Sequence, residues 1–278
     1  QNREGLAIKG RDGGYYGLSS HEPDYPGDIG FLLAKGNSEL EKAAGVLQSG
    51  KQIDIENVTI QPPLMTPGKI ICIGLNYVDH SEESGFEQPD YPTVFSRFAS
   101  SLIGHGAPIV RPRVSDQLDY EGELAAVIGT RGRHIGQSQA LSHVAGYTIF
   151  NDASVRDFQF KSPQWTVGKN FDRTGAFGPE FVTADELPQG GKDLRLETRV
   201  NGQVVQSAST SDMVFDVEQL ITILSEALTL EPGDVIVTGT CSGVGIGRKP
   251  PLFLKPGDIC EVEIESLGIL SNPVEAER

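Results

Sequence analysis

The feature that most constrains the fold is a series of short apolar runs bounded by glycine or proline, which begins after Pro67-Gly68. Each run is shorter than a typical helix and has the composition of a buried or half-buried strand. Helical periodicity is clear only over residues 217–229 and weaker over 137–143. Because strands and helices do not alternate regularly, the pattern predicts an α+β protein dominated by β-structure, not a doubly wound parallel sheet. The predicted strands are 69–74, 123–128, 144–150, 196–200, 204–205, 234–238 and 259–264.

Turn residues separate several of these strands. Asn201-Gly202 predicts a tight hairpin, because a type I′ turn needs positive φ at both central residues. The phrases Glu231-Pro232-Gly233-Asp234 and Lys255-Pro256-Gly257-Asp258 each lead into a predicted strand. This pattern of turn residues therefore indicates a sheet whose strands are joined by short connections.

A proline-rich run, residues 61–68, predicts a domain boundary. We assign residues 1–66 to a small N-terminal domain and residues 67–278 to the main domain. Within the first domain, residues 10–30 are rich in glycine and proline and are expected to be weakly structured, whereas residues 37–48 are expected to be helical.

Charge and composition limit the classes of partner. The 38 acidic residues outnumber the 23 basic ones, and the net charge of −15 repels phosphate backbones, so no nucleic-acid partner is expected. No apolar run approaches the roughly 20 residues of a membrane span, so no membrane partner is expected either. The three cysteines, Cys72, Cys241 and Cys260, are too few and too widely spaced for a disulfide framework. Their pattern predicts a reducing, cytoplasmic location.

Two glutamates at alternating positions, Glu121 and Glu123, precede the apolar run 124–128. On a strand both project to the same face, and two such charges side by side favour a cation between them. Asp152, at the end of another apolar run, is a candidate third ligand. Three carboxylates, with water and substrate filling the other positions, make an open Mg²⁺ site. The alternatives are a solvated strand edge for the glutamates and a helix N-cap for Asp152.

His80 and Glu83 would be neighbours if residues 74–83 form a helical turn, because residues i and i+3 share a helix face. A carboxylate beside an imidazole fixes its tautomer and raises its basicity, which suits a general base. The alternative is a surface histidine in a polar loop.

Three phrases together resemble the signatures of the fumarylacetoacetate hydrolase family: Tyr120-Glu121-Gly122-Glu123-Leu124, Asn151-Asp152-Ala153-Ser154-Val155-Arg156-Asp157 and Val237-Thr238-Gly239-Thr240. The resemblance covers about residues 67–278. It implies a mixed β-roll with a smaller N-terminal domain and a cytoplasmic homodimer. It also implies that Glu121, Glu123 and Asp152 bind Mg²⁺, Mn²⁺ or Ca²⁺.

The resemblance also implies roles for other residues. His80 and Glu83 would form the water-activating dyad on a lid over residues 81–88. Lys169 would pair with the substrate carboxylate or stabilise an oxyanion, and Gln159 would contact the substrate. Tyr77 and Thr240 would bind it through their hydroxyl groups. Without the resemblance, each of these four is read as an ordinary surface or half-buried side chain.

The chain departs from the family pattern at two places. Ser96-Arg97-Phe98 stands where many relatives have a Lys-Pro pair, and Arg97 could clamp a substrate carboxylate with two hydrogen bonds. Cys241 replaces the usual proline after Gly-Thr. The glycine loop 243–247 that follows resembles a dinucleotide-binding loop only loosely, because Arg248 falls where the third glycine belongs.

These observations lead us to expect a hydrolase that cleaves a C–C bond in an acylpyruvate-like 2,4-dioxo acid, with the dyad activating water. A decarboxylase, isomerase or hydratase of a 2-oxo acid would use the same stabilised enolate and is the nearest alternative. A non-catalytic protein that binds small acids is an alternative of another class, but it would have no use for a His-Glu base.

Overall fold

The computed structural model describes residues 4–84 and 90–278, and β-structure dominates them. This confirms the predicted α+β, β-rich class. The α-helices are α1 (Ile29–Lys35), α2 (Asn37–Gln48), α3 (Val78–Ser84), α4 (Arg156–Gln159), α5 (Thr166–Lys169) and α6 (Val217–Ala227). The strands are β1 (Gly5–Lys9), β2 (Tyr15–Ser19), β3 (Lys51–Ile53), β4 (Ile70–Gly74), β5 (Thr93–Arg97), β6 (Leu102–Ile103), β7 (Ile109–Arg111), β8 (Leu118–Asp119), β9 (Gly122–Ile128), β10 (Val144–Asp152), β11 (Ser154–Val155), β12 (Gly175–Thr183), β13 (Arg195–Val200), β14 (Gln203–Ser209), β15 (Val235–Thr240), β16 (Ile259–Ile264) and β17 (Gly268–Ala276).

Seven strands form the central sheet, in the order β5-β4-β15-β9-β10-β12-β6. Strands β9 and β10 are buried along their whole length, which explains why each appears in the sequence as a continuous apolar run. Leu124 and Ala126 of β9 face one hydrophobic cluster, and Ala125 and Val127 face another. This division follows from the two-residue period of a strand.

Different parts of the chain cover the two faces of this sheet. A five-stranded sheet, in the order β14-β13-β16-β17-β7, lies over one face, and its Leu196 and Val262 share a cluster with Leu124. Burial alternates along β13 and β16, so only one face of the second sheet enters the core. On the other face of the central sheet, Leu33 of α1 packs in the cluster of Ala125 and Val127.

The N-terminal segment contains a three-stranded sheet, β1-β2-β3, and the helices α1 and α2. Helix α2 coincides with the predicted helix 37–48. The expectation that residues 10–30 are weakly structured was wrong, because they include β2 and the start of α1. Only Gly17 of β2 is buried, so this strand leaves no alternating apolar pattern in the sequence. The division at residue 66 stays a prediction.

All seven predicted strands are present, as β4, β9, β10, β13, β14, β15 and β16. Among the strands that were not predicted, β12 and β17 are the longest. Strand β12 contains Pro179, a residue that usually argues against a strand. The ladder between β10 and β12 shifts its register at this point, between the pairs Tyr147–Val182 and Ile149–Gly178, and the irregularity accommodates the proline.

The helix predicted over residues 217–229 begins at Val217, where Asp216 and Gln219 form a capping box, and it ends at Ala227. Residues 137–143 form a 3₁₀-helix. Helix α3 covers the first part of the predicted lid, and residues 85–88 of that lid lie outside the described residues. Among the described helices, none has the length and apolar composition required to cross a membrane.

The turn at Asn201-Gly202 has φ of 52° and 77°, which confirms the type I′ prediction. We expect Gly202→Ala to lower the free energy of unfolding by about 1–2 kcal/mol, because a Cβ is strained at positive φ. The measurement is urea denaturation of the purified protein.

Gly136→Ala is the matched control for this turn. Both glycines are exposed and an added Cβ would meet nothing within 4 Å at either, but Gly136 has a φ of −69°. Equal losses of stability at the two positions would contradict the assignment of the effect to backbone conformation.

Candidate metal centre and active site

The candidate site lies where β15, β9 and β10 end side by side. Glu123 of β9 is paired with Phe150 of β10 and with Thr240 of β15. The Asp152 N–H donates to the backbone oxygen of Glu121 at 2.9 Å. Because side chains alternate along strands, the carboxylates of Glu121, Glu123 and Asp152 leave one face of the sheet at the same edge.

The structure brings these three predicted ligands together. One oxygen of each lies within 4.8 Å of the others, and all three side chains are buried. Two oxygens on one ion lie at most about 4.2 Å apart for Mg²⁺ and about 5 Å for Ca²⁺, twice the metal–oxygen distance. Hard divalent cations prefer such oxygen-only ligands. The three residues therefore fit Mg²⁺, Mn²⁺ or Ca²⁺ with small movements of the side chains.

Two buried side chains with positive charge, Lys169 and Arg156, contact Glu121. Lys169 Nζ contacts Glu121 Oε2 at 2.5 Å and Asp152 Oδ2 at 2.6 Å. Arg156 Nη1 contacts Glu121 Oε1 at 2.6 Å, and its Nε donates to Asp119 at 2.8 Å. Burial alone would raise the pKa of Glu121, but Arg156 and Lys169 outweigh it and lower this pKa to about 2.

The surroundings of Glu123 differ from those of Glu121, because neither Lys169 nor Arg156 forms an ion pair with it. Its Oε2 accepts the Gly239 N–H at 2.5 Å. Burial, together with the charges of Asp152 and Glu121, raises the pKa of Glu123 well above its usual range. A divalent cation between the three carboxylates would offset this repulsion and favour the ionised form.

Arg97 lies behind the carboxylates and not in the cavity, which corrects the expectation of a substrate clamp. Its Nη1 donates to Asp152 Oδ1 and, at 3.2 Å, to the backbone oxygen of Ala153. Its Nη2 donates to Thr174 Oγ1 at 2.6 Å, and its Nε to Ser101 Oγ at 3.3 Å. Because Arg97 is buried, lies outside the cavity lining and uses all three of its nitrogens in bonds within the protein, it orients Asp152 and is not placed to clamp a substrate carboxylate.

A cavity of about 250 Å³ opens onto the carboxylates of Glu121 and Glu123. Phe95 and Trp165, whose rings meet edge to face at 5.5 Å, form an apolar wall. Lys169 Nζ lies 4.8 Å from the centre of the Phe95 ring. An acidic and cationic floor beside an apolar wall suits a small organic acid with a carbon chain. The other lining residues predicted from the sequence are His80, Glu83, Gln159 and Thr240.

His80 and Glu83 lie on α3, as the i and i+3 spacing predicted. His80 Nδ1 is 3.8 Å from Glu83 Oε2, which also accepts the Gly243 N–H at 2.9 Å. Burial tends to raise the pKa of Glu83, but His80 and the Gly243 N–H outweigh it, so this pKa is lowered. The glutamate is therefore an anion that can stabilise a protonated imidazole.

Of the two residues predicted to bind the substrate through a hydroxyl group, Thr240 lines the cavity and Tyr77 does not. Tyr77 is fully buried and does not line the cavity. Thr240 lines it, but its hydroxyl donates to the Gly122 backbone oxygen at 2.9 Å and accepts from Gln206 at 2.8 Å. Thr240 can therefore only accept a further hydrogen bond. Gln159 lines the cavity and accepts from Arg156 Nη1 at 2.9 Å.

Arg156 lines the cavity, although no role for it is predicted from the sequence. Its Nη2 is buried without a hydrogen-bond partner among the described residues, so a donor is left for a ligand. Asp119, which holds Arg156, also accepts the Gly245 and Ile246 N–H groups at 2.7 and 2.9 Å. The available signal was the position of Arg156, four residues after Asp152 in the same motif.

Comparison with known proteins shows extended similarity. The family model described as fumarylacetoacetate (FAA) hydrolase C-terminal matches residues 69–275. An oxaloacetate tautomerase of Xenopus laevis, named as mitochondrial, is 43% identical over 273 residues, which cover 97% of this chain and 85% of that protein. A human oxaloacetate tautomerase, also named as mitochondrial, is 43% identical over 270 residues, with 95% and 85% covered.

Solved structures show the same fold. A fumarylacetoacetate hydrolase from Exiguobacterium antarcticum superposes with a TM-score of 0.86 at 37% identity and covers 99% of this chain and 96% of its own. A 5-carboxymethyl-2-hydroxymuconate delta-isomerase from Mycobacterium smegmatis has a TM-score of 0.74 at 31% identity and covers 99% of both chains. These similarities confirm the resemblance that the three motifs indicated.

The raised pKa of Glu123 predicts a pH-dependent stability of the metal-free protein. The folded chain keeps this proton at a higher pH than the unfolded chain, so stability falls as the pH rises between the two pKa values. Glu123→Gln removes the titration but keeps an acceptor for the Gly239 N–H. In EDTA we expect the variant to melt at a higher temperature than the wild type near neutral pH. The difference should shrink as the pH falls toward about 4, the ordinary range of a glutamate.

Exposed Glu275→Gln is the control for this comparison, with both variants followed by thermal melting over the pH series. A Glu123→Gln variant that gains no stability at neutral pH would contradict the predicted repulsion.

Proposed function

Because this chain belongs to the fumarylacetoacetate hydrolase family, we propose that it is a divalent-metal-dependent enzyme that interconverts the keto and enol forms of a small 2-oxo acid such as oxaloacetate. The observation that carries the proposal is the convergence of three buried carboxylates, two of which line the same cavity as the His80-Glu83 pair. The substrate class follows the names of the two tautomerase relatives.

Glu121, Glu123 and Asp152 would hold the metal, which when bound supplies Lewis-acid stabilisation of an enolate. Around it, the chain provides cationic groups for the substrate carboxylates. Arg156 lines the cavity and has a buried Nη2 without a hydrogen-bond partner among the described residues, and Lys169 also lines the cavity. These two groups bind and orient the acid.

Tautomerisation requires a base that removes a proton from the carbon next to the keto group and an acid that returns it. His80 Nδ1 faces Glu83, so Nε2 is the nitrogen available to the substrate. Glu83 stabilises the imidazolium that forms when Nε2 takes the proton. The same nitrogen returns the proton when the keto form is regenerated.

Hydrolysis of a C–C bond in an acylpyruvate-like 2,4-dioxo acid is the second candidate, favoured by the complete His80-Glu83 pair. In this reaction His80 takes a proton from water, the resulting hydroxide attacks the distal carbonyl, and a pyruvate-type enolate leaves. The two candidates differ in their products, because hydrolysis yields two acids and tautomerisation yields one isomer.

We propose that the protein is a homodimer, as the family resemblance implies. All three cysteines are free and buried, which supports a reducing compartment such as the cytoplasm. Fractionation of cells with an antibody against the chain, together with light scattering of the purified protein, tests both.

We expect EDTA to abolish activity on oxaloacetate and Mg²⁺ or Mn²⁺ to restore it. Asp152→Asn should prevent the restoration, because it removes a charged ligand. The control is exposed Asp90→Asn. The keto and enol forms are followed by ultraviolet absorbance, and full activity after exhaustive chelation would eliminate the metal from the mechanism.

Removal of the proposed general base, His80, should slow two reactions of oxaloacetate to different extents. His80→Ala should slow keto–enol interconversion by about 10²–10⁴-fold, the usual range for loss of a general base. Metal-dependent decarboxylation of oxaloacetate should lose less, because it needs the stabilised enolate more than the base. Glu83→Gln should cause the same pattern with smaller losses.

Exposed His21→Ala is the control for these measurements. Metal affinity measured by calorimetry should survive in His80→Ala, since the dyad and the carboxylates lie on different segments. Equal losses in both reactions would mean that His80 positions the substrate and does not move the proton.

A further inference from the structure

Gln206 of β14 is a buried polar residue outside the cavity lining, and it reaches from the five-stranded sheet to the metal-binding strands. Its Oε1 accepts the Gly122 N–H at 3.0 Å. Its Nε2 donates to Thr240 Oγ1 at 2.8 Å and to the Cys241 backbone oxygen at 2.9 Å. One side-chain amide therefore joins the start of β9 to the end of β15.

These contacts close a ring of hydrogen bonds. Thr240, which accepts from Gln206, donates its own proton to the Gly122 backbone oxygen at 2.9 Å. Both backbone groups of Gly122 are thereby held by side chains on either side of it. The regular ladder between β9 and β15 is interrupted just before Thr240, so these side-chain bonds stand where backbone pairing is irregular.

Gly122 is the residue between two of the proposed metal ligands, Glu121 and Glu123. A Cβ at Gly122 would lie 2.3 Å from Thr198 Oγ1, so the second sheet packs directly on the backbone here. The Glu121 N–H is likewise accepted by a side-chain amide, Asn151 Oδ1, at 3.0 Å. Side-chain amides thus fix two successive peptide groups that set the spacing of the ligands.

We propose that Gln206 is a positioning residue that sets the affinity of the Glu121-Glu123-Asp152 site for a divalent cation. The inference rests on the metal site of the proposed function. Gln206 touches neither ligand carboxylate nor the cavity, and it acts through Gly122 and Thr240. Loss of the amide frees the peptide between the two glutamates, so the ligands must be ordered again when the ion binds.

The test is a calorimetric titration of metal-free protein with Mn²⁺. Gln206→Met keeps the length of the side chain and removes the amide. We expect its Kd for Mn²⁺ to rise by about ten- to a hundredfold, the usual effect of losing a group that orients a metal ligand. The metal concentration for half-maximal activity should rise in parallel, whereas kcat at saturating metal is retained. Gln203→Met, at an exposed position of the same strand, is the matched control and should bind as the wild type does.

A purely structural role would lower the melting temperature of the metal-free variant but leave the Kd of the folded protein unchanged, and that result would overturn the inference. A wild-type protein that binds no Mn²⁺ would overturn the proposed metal site itself. If Gln206→Met does not fold, Thr240→Val breaks the same ring and should also raise the Kd. An unchanged Kd in the folded Thr240→Val variant would equally refute the role of the ring.

Discussion

The repulsion between three carboxylates in one buried patch is the constraint on which the site depends. Charges out of water are costly unless paired, and these three lie within a few ångströms of one another. Lys169, Arg156 and Arg97 compensate part of that charge, with Glu123 the carboxylate least served by them. A divalent cation would compensate the negative charge that remains at Glu123. The proposed affinity for a metal and the expected instability of the metal-free site would thus have one electrostatic cause.

The fold meets this constraint with strands from distant parts of the chain. Two neighbouring strands, β9 and β10, carry Glu123 and Asp152, Glu121 directly precedes β9, and a third strand, β15, supplies the Gly239 N–H that Glu123 accepts. The second sheet holds their ends through Gln206. Helix α3 brings His80 and Glu83 to the same cavity, where the loop that carries Gly243 fixes the glutamate. The same loop also reaches the carboxylates, because its Gly245 and Ile246 N–H groups donate to Asp119, which holds Arg156 against Glu121.

The glycine-rich loop over residues 243–247 binds carboxylates of the protein itself. Its glycines resemble a phosphate-binding loop, but its N–H groups donate to carboxylates: Gly243 to Glu83, and Gly245 and Ile246 to Asp119. A Cβ at Gly247 would lie 2.5 Å from the Glu83 side chain. These glycines therefore allow acidic side chains to approach the backbone closely. The pattern of glycines alone could not distinguish an internal carboxylate from an external phosphate.

Local patterns in the sequence determined the class of fold, most of the strands of the central sheet, the type I′ hairpin and the alternation that places Glu121 and Glu123 on one face. These features depend on residues close in the chain, so periodicity and turn chemistry suffice. Only the tertiary structure decided that Arg97 lies behind Asp152, that Arg156 enters the cavity and that Gln206 reaches Gly122. Each of the three depends on contacts between segments far apart in the chain. Strand order and register set those contacts, and no local pattern encodes them.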